Sequence, residues 1–130
     1  MTVYVTVEQA LRIHGAMLAS FGGATGVRDH GLLEAAIVRP QMGYYSDLIE
    51  EAAALWESLA MNHPFVDGNK RVAYACLEMF LGLNGVDITA SNEEAERFIY
   101  SHLEAGTFRK DGLDQWLRAN TGPLPPDALE

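Results

Sequence analysis

His63-Pro64-Phe65-Val66-Asp67-Gly68-Asn69-Lys70-Arg71 gathers an imidazole, a carboxylate, a carboxamide and two cations into nine residues. The apolar residues of 48–61 before it and of 72–83 after it recur at helical spacing, so the stretch reads as a turn between two helices. Pro64 disfavours the α conformation at His63 and ends the first helix there, while Asp67-Gly68 is turn chemistry. The second helix then begins near Asn69, where the first backbone N–H groups lack intrahelical partners and about half a positive charge collects. Such an end favours a phosphate. Gly68 admits a close ligand, Lys70 and Arg71 add full charges, and a guanidinium suits bidentate phosphate contacts. An imidazole of ordinary pKa near ~6.5 beside this cradle can take a proton from a hydroxyl. His63 is thus a candidate general base, Asp67 a candidate cation ligand, and Gly68, Asn69, Lys70 and Arg71 candidate phosphate binders. Each residue taken alone has a plainer reading, as a cap, a turn former or a solvated charge; their adjacency in one tight turn favours a site.

The nine-residue stretch resembles the signature loop of the Fic/Doc (Fido) superfamily, and the death-on-curing (Doc) toxins are the nearest group. A second block, from Arg28-Asp29-His30-Gly31-Leu32-Leu33-Glu34-Ala35-Ala36 through Arg39-Pro40-Gln41, looks like the segment that precedes the loop in Doc-like proteins. The resemblance spans most of residues 4–120. It implies that His63 is the general base, Asp67 the Mg²⁺ ligand and residues 68–71 the nucleotide-phosphate cradle, with ATP as the donor. AMP-transferring Fic proteins carry Gly where this chain has Lys70, and a second Arg where it has Tyr74. In the Doc-like reading the bulk and charge of Lys70 reverse the nucleotide, so that the γ-phosphate meets the acceptor and the enzyme is a kinase. Pro64 and Gly68 are Fic-like, which makes the loop a hybrid and keeps AMP or other nucleotidyl transfer as the alternative, with a non-enzymatic binding module as a second one. The resemblance further implies a type II toxin that phosphorylates a threonine of elongation factor Tu and so inhibits translation. No Ser/Thr-x-x-x-Glu-Gly/Asn inhibitory helix occurs in the chain, so the expected restraint is a separate Phd-like antitoxin docking a helical tail.

Other chemistries find no support. There is no Cys-x-x-Cys pair, Walker loop or Gly-x-Ser-x-Gly elbow; His14, His30 and His102 are scattered, and Cys76 lies in an apolar run, where a buried free thiol is expected. With 48% hydrophobic residues in 130, the chain can build a core. One cysteine precludes an intramolecular disulfide, and no signal peptide or long apolar span is visible, so a cytoplasmic enzyme with no membrane role is expected. A net charge of −9 argues against direct nucleic-acid binding.

The rest of the chain reads as helices. Val3-Tyr4-Val5 is a short β-leaning lead, and a Thr6/Gln9 capping box opens a helix with Val7, Ala10, Leu11, His14, Met17, Leu18 and Phe21 on its apolar stripe, ended by Gly22-Gly23. A glycine-rich, flexible loop leads to Asp29, which caps a helix to Arg39 that Pro40 stops. Residues 41–46 form a loop that by resemblance is the flap aligning an extended target, with Tyr44 and Tyr45 as its docking side chains; the plainer reading is a core-closing loop. Ser46 or Asp47 opens the helix before the signature loop, Gly85 closes the one after it, and a Ser91/Glu94 capping box and Gly106 bound the next. The last helix spans about 113–120. Phe65 and Val66 are expected to anchor the loop in the core. The whole predicts an all-α, compact single-domain bundle of about six helices, with the signature loop between two central helices, over residues 1–122 and a frayed tail over 123–130.

Overall fold

Helix α3, Leu48–Met61, is the axis of the molecule because its sequence is apolar almost all round. Ala52, Ala53, Ala54, Leu55, Trp56, Leu59 and Ala60 are all buried, and the alanines let neighbouring helices approach closely. The structure is a computed structural model that describes residues 1–125. Helix α1 is Val7–Phe21, α2 is His30–Val38 continued by a 3₁₀ turn at Arg39–Gln41, and α4 is Asn69–Leu83. Strand β1 (Val86–Ile88), α5 (Asn92–Ala105), α6 (Lys110–Ala119) and β2 (Thr121–Pro123) follow. Among the described residues, six α-helices make the compact helical array expected, with one small two-stranded sheet added to it.

Trp56, 0% exposed, fastens the array. Its indole meets Tyr74 of α4, Phe98 of α5, Phe108, and Trp116 of α6 at ring-centroid distances of 5.4–6.0 Å. Four segments therefore converge on one α3 side chain, which fixes the spacing of the α3–α4 pair that carries the signature loop. Cys76 is buried in the same core, and burial pushes its thiol up to about 12, so it is an inert apolar filler.

Capping is local where it was legible. Thr6 and Ser91 close their capping boxes with Gln9 and Glu94, and the carboxylates of Asp29 and Asp47 accept the N–H groups of Leu32 and Glu50. Three elements depart from expectation. Helix α6 starts at Lys110 rather than 113, because Glu57 of α3 reaches across to accept the Lys110 N–H at 2.7 Å and supplies the cap that Arg109 lacks. Strands β1 and β2, three residues each, pair antiparallel with Asp87 opposite Gly122. The segment expected to begin the frayed tail is thus partly held: Pro123 lies in β2 and the Leu124 N–H donates to the Gly85 carbonyl at 2.9 Å. The rest of that expected tail, 126–130, lies outside the described residues. The β-leaning lead forms no strand; the Asn84 side chain instead accepts the Val3 N–H and donates to the Val3 carbonyl, both at 2.8 Å.

Candidate active site

The signature loop is the connection between α3 and α4, and its conformation follows from four anchors. Phe65 is the first. It is 1% exposed and its ring stacks on that of His14 at 4.1 Å, so the middle of the loop plugs into the core, as expected. Val66 does otherwise: at 53% exposed it lines the cleft.

His14 is the second anchor. Its Nε2–H donates to the Asp67 carbonyl at 3.0 Å, bridging α1 to a residue 53 positions away. The apolar stripe of α1 conceals this duty, since a buried histidine at helical spacing reads as packing.

Asn69 is the third. Its Oδ1 accepts the Phe65 N–H and its Nδ2 donates to the Phe65 carbonyl, both at 3.0 Å. The carboxamide expected to face phosphate thus binds the loop with its oxygen and one of its two N–H groups, which leaves the second N–H and the backbone N–H of Asn69 for an anion.

The fourth anchor is the segment before α2, which is not the flexible connection its glycines suggest. Gly26 accepts the Val66 N–H at 3.1 Å, and the Pro64 carbonyl accepts the Arg28 and Asp29 N–H groups at 2.8 and 3.1 Å. The Arg28 guanidinium donates from Nε to the His63 carbonyl and from Nη2 to the Asn62 carbonyl, at 2.6 and 2.8 Å. At Gly23, φ +123°, an added Cβ would stand 2.8 Å from Asp67 Oδ2, so only glycine permits this approach.

The result is an open cleft of about 880 Å³, within the range of small-molecule sites. His63, Asp67, Gly68, Asn69, Lys70 and Arg71 all line it. His63 is exposed and has φ 50°, the one left-handed non-glycine residue among those described. Gly68 precedes α4 in the left-handed region (φ 79°) and no side chain caps the helix start, where internal bonding begins only with the Val72 N–H to the Gly68 carbonyl. The amides of 69–71 thus remain open at the positive end of the dipole. Asp67 Oδ1 accepts the Gly68 N–H at 2.9 Å and Oδ2 the Ala24 N–H at 3.2 Å. Each oxygen keeps a lone pair, so one oriented carboxylate fits a hard cation that retains most of its waters. Among the described residues no group of three or more His, Cys, Asp or Glu is arranged to hold a metal by itself.

The two cations are steadied by rings. The Lys70 Nζ lies 4.5 Å from the ring centre of Tyr100 on α5, and the Arg71 guanidinium 4.3 Å from that of Phe21 at the end of α1. Farther along the cleft, burial and the charges of Glu78 and Asp87 push the Tyr74 phenol up to about 12, and burial and Asp87 raise the Glu78 carboxyl. Tyr74 remains a neutral hydroxyl.

Tyr44 and Tyr45 stand apart from this cleft. Tyr44 is 77% exposed, whereas the Tyr45 hydroxyl accepts the Arg39 Nε–H at 2.8 Å. Arg39 also pairs with Glu57 at 2.7 Å and donates to Ser58 Oγ at 2.8 Å beside a small cavity of about 190 Å³. Tyr45 thus belongs to a polar network that closes the 3₁₀ turn against α3. No helix among the described residues is long and apolar enough to cross a membrane.

A helix–loop–helix that presents an imidazole, a carboxylate and an uncapped cationic helix start to one cleft defines a class of site. The Fic/DOC family matches residues 4–81, which hold α1 to α3, the loop and most of α4. Over 95 residues the chain is 47% identical to the Toxin Doc of Mycolicibacterium smegmatis, spanning 69% of this chain and 71% of that protein. Over 97 residues it is 35% identical to the Protein kinase doc of Escherichia phage P1, spanning 72% and 77%. The chain belongs to the Fic/DOC family.

Proposed function

We propose that this protein is a Doc-type toxin of a toxin–antitoxin pair, and that it transfers the γ-phosphoryl group of ATP to a hydroxyl of a protein target in the cytoplasm. The observation that carries the reading is the convergence of His63, Asp67, Lys70 and Arg71 on one cleft of about 880 Å³. The names of the two relatives, a toxin and a protein kinase, agree with it.

His63 accepts the proton of the acceptor hydroxyl as the new O–P bond forms and the bond between Pγ and the bridging oxygen breaks, with ADP leaving. The amides of 69–71, Lys70 and Arg71 meet the charge on the phosphoryl oxygens, where most catalysis of phosphoryl transfer arises. Asp67 would hold Mg²⁺, which would supply neutralisation of phosphate charge. Lys70, held against Tyr100, crowds the turn where adenylyl-transferring relatives have glycine and so favours the reversed nucleotide. Elongation factor Tu is the proposed target, with exposed Tyr44 a docking contact and translation the process inhibited. A Phd-like antitoxin is the proposed partner.

The Fic-like Pro64 and Gly68 favour a second reading, AMP transfer by the same base. Incubation with a bacterial lysate and ATP labelled at the α- or the γ-phosphate decides. The kinase reading expects protein-bound γ-label alone, and α-label on the target defeats it.

A further inference from the structure

His63, at φ 50°, adopts a left-handed backbone conformation that a non-glycine residue enters only at a cost, which the surrounding structure must offset. The next residue is a proline, which has no N–H to donate, and the Asn62 N–H is spent on the Ser58 carbonyl of α3, so no N–H on either side of His63 selects this state. Arg28 does. Its guanidinium forks over two consecutive carbonyls, Nε to His63 and Nη2 to Asn62. Both oxygens stand at the C-terminal end of α3, where carbonyls lack helical partners and a cation is favoured by the dipole. The Arg28 backbone N–H adds a third tie, to the Pro64 carbonyl, so one residue grips three successive carbonyls around the base. This guanidinium is in no ion pair among the described residues, and it does not line the cleft.

We propose that Arg28 is a positioning residue for His63: its fork holds residues 62–64 in the left-handed turn that presents the imidazole to the cleft. The inference rests on the reading of His63 as general base, yet it concerns ring placement, which is measurable without turnover. A lysine cannot reproduce it, because an ammonium lacks the planar pair of donors that spans adjacent carbonyls.

The experiment follows Arg28→Ala and Arg28→Lys in the full chain, with His63→Ala as reference. NMR of the histidine rings is expected to show the His63 signals shifted or broadened in R28A, with those of His14, buried against Phe65, little changed. With γ-labelled ATP and a bacterial lysate as acceptor, R28A should lose about 10- to 100-fold in maximal rate, the scale of a misplaced catalytic group, at nearly constant half-saturating ATP. R28K should fall between, and millimolar guanidinium chloride should restore part of the R28A rate and none of the H63A rate. Unchanged His63 resonances in a folded R28A overturn the inference, as does an undiminished maximal rate. If R28A does not fold, an R28K protein with wild-type resonances and rate overturns it equally. Should H63A retain full activity while R28A displaces the ring, the base assignment fails and the positioning role stands.

Discussion

His14 Nε2 lies 3.0 Å from the carbonyl oxygen of Asp67, so a buried histidine of the first helix holds the residue proposed to bind the metal. The same ring stacks on Phe65. Replacing His14 with Ala removes a stacked pair and a hydrogen bond, which together are worth about 1–3 kcal/mol. Urea denaturation should register that loss. His14→Phe, which retains the stacking alone, should recover part of the stability while ATP turnover at limiting Mg²⁺ stays below wild type.

Asn69 is expected to behave as a structural clamp rather than a ligand. Asn69→Ala strands the Phe65 N–H and carbonyl beneath the loop, at about 1–3 kcal/mol for an unsatisfied buried group. The check is chemical denaturation alongside the ATP dependence of the rate. Loss of nucleotide affinity with unaltered stability would return the carboxamide to the phosphate.

Lys70 against Tyr100 is an exposed cation–ring pair, of a kind worth about 0.5–1 kcal/mol. Tyr100→Phe should leave the ATP dependence of the rate unchanged, and Tyr100→Ala should raise the half-saturating concentration a few-fold. Lys70→Gly removes the bulk proposed to reverse the nucleotide, so its protein-bound label should shift from γ toward α. A Lys70→Gly protein that still deposits only γ-label would remove Lys70 as the determinant.

Four N-termini and the helix–loop–helix around His63 were legible because their determinants are neighbours in sequence: Thr6 with Gln9, Asp29 with Leu32, Asp47 with Glu50, Ser91 with Glu94. What escaped depends on partners far along the chain. Glu57 caps α6 from 53 residues away, Asp87 finds Gly122 across the short sheet, and His14 reaches Asp67. The glycines before α2 signal flexibility only until the Pro64 and Gly26 carbonyls are seen to bind that segment to the loop. At the site, the residue types marked its place, while the loop-holding bonds of the Asn69 carboxamide to the backbone four residues earlier carried no signal. Arg28 carried no signal of its own beyond membership of the second block.

Acid should weaken the fold through Glu50. The Ser46 N–H, the Lys110 ammonium at 2.9 Å and the Ser46 hydroxyl hold its carboxyl down at about 2, below its ordinary 4.5. A depressed folded-state pKa stabilises above the unfolded value and is lost as protons bind, so this contribution is full above about pH 4.5 and vanishes as pH falls toward 2. Thermal midpoints should drop across that window, and Glu50→Gln should flatten the slope. An equally steep acid limb in the variant would place the effect elsewhere.

The account depends most on His63 taking the acceptor's proton. Its direct test is the initial rate of γ-phosphoryl transfer by His63→Ala against wild type, with helical content and thermal midpoint matched. A general base is worth about 10²–10⁴-fold, so the rate should fall by that factor while nucleotide still binds. A folded His63→Ala protein that phosphorylates at the wild-type rate would contradict it.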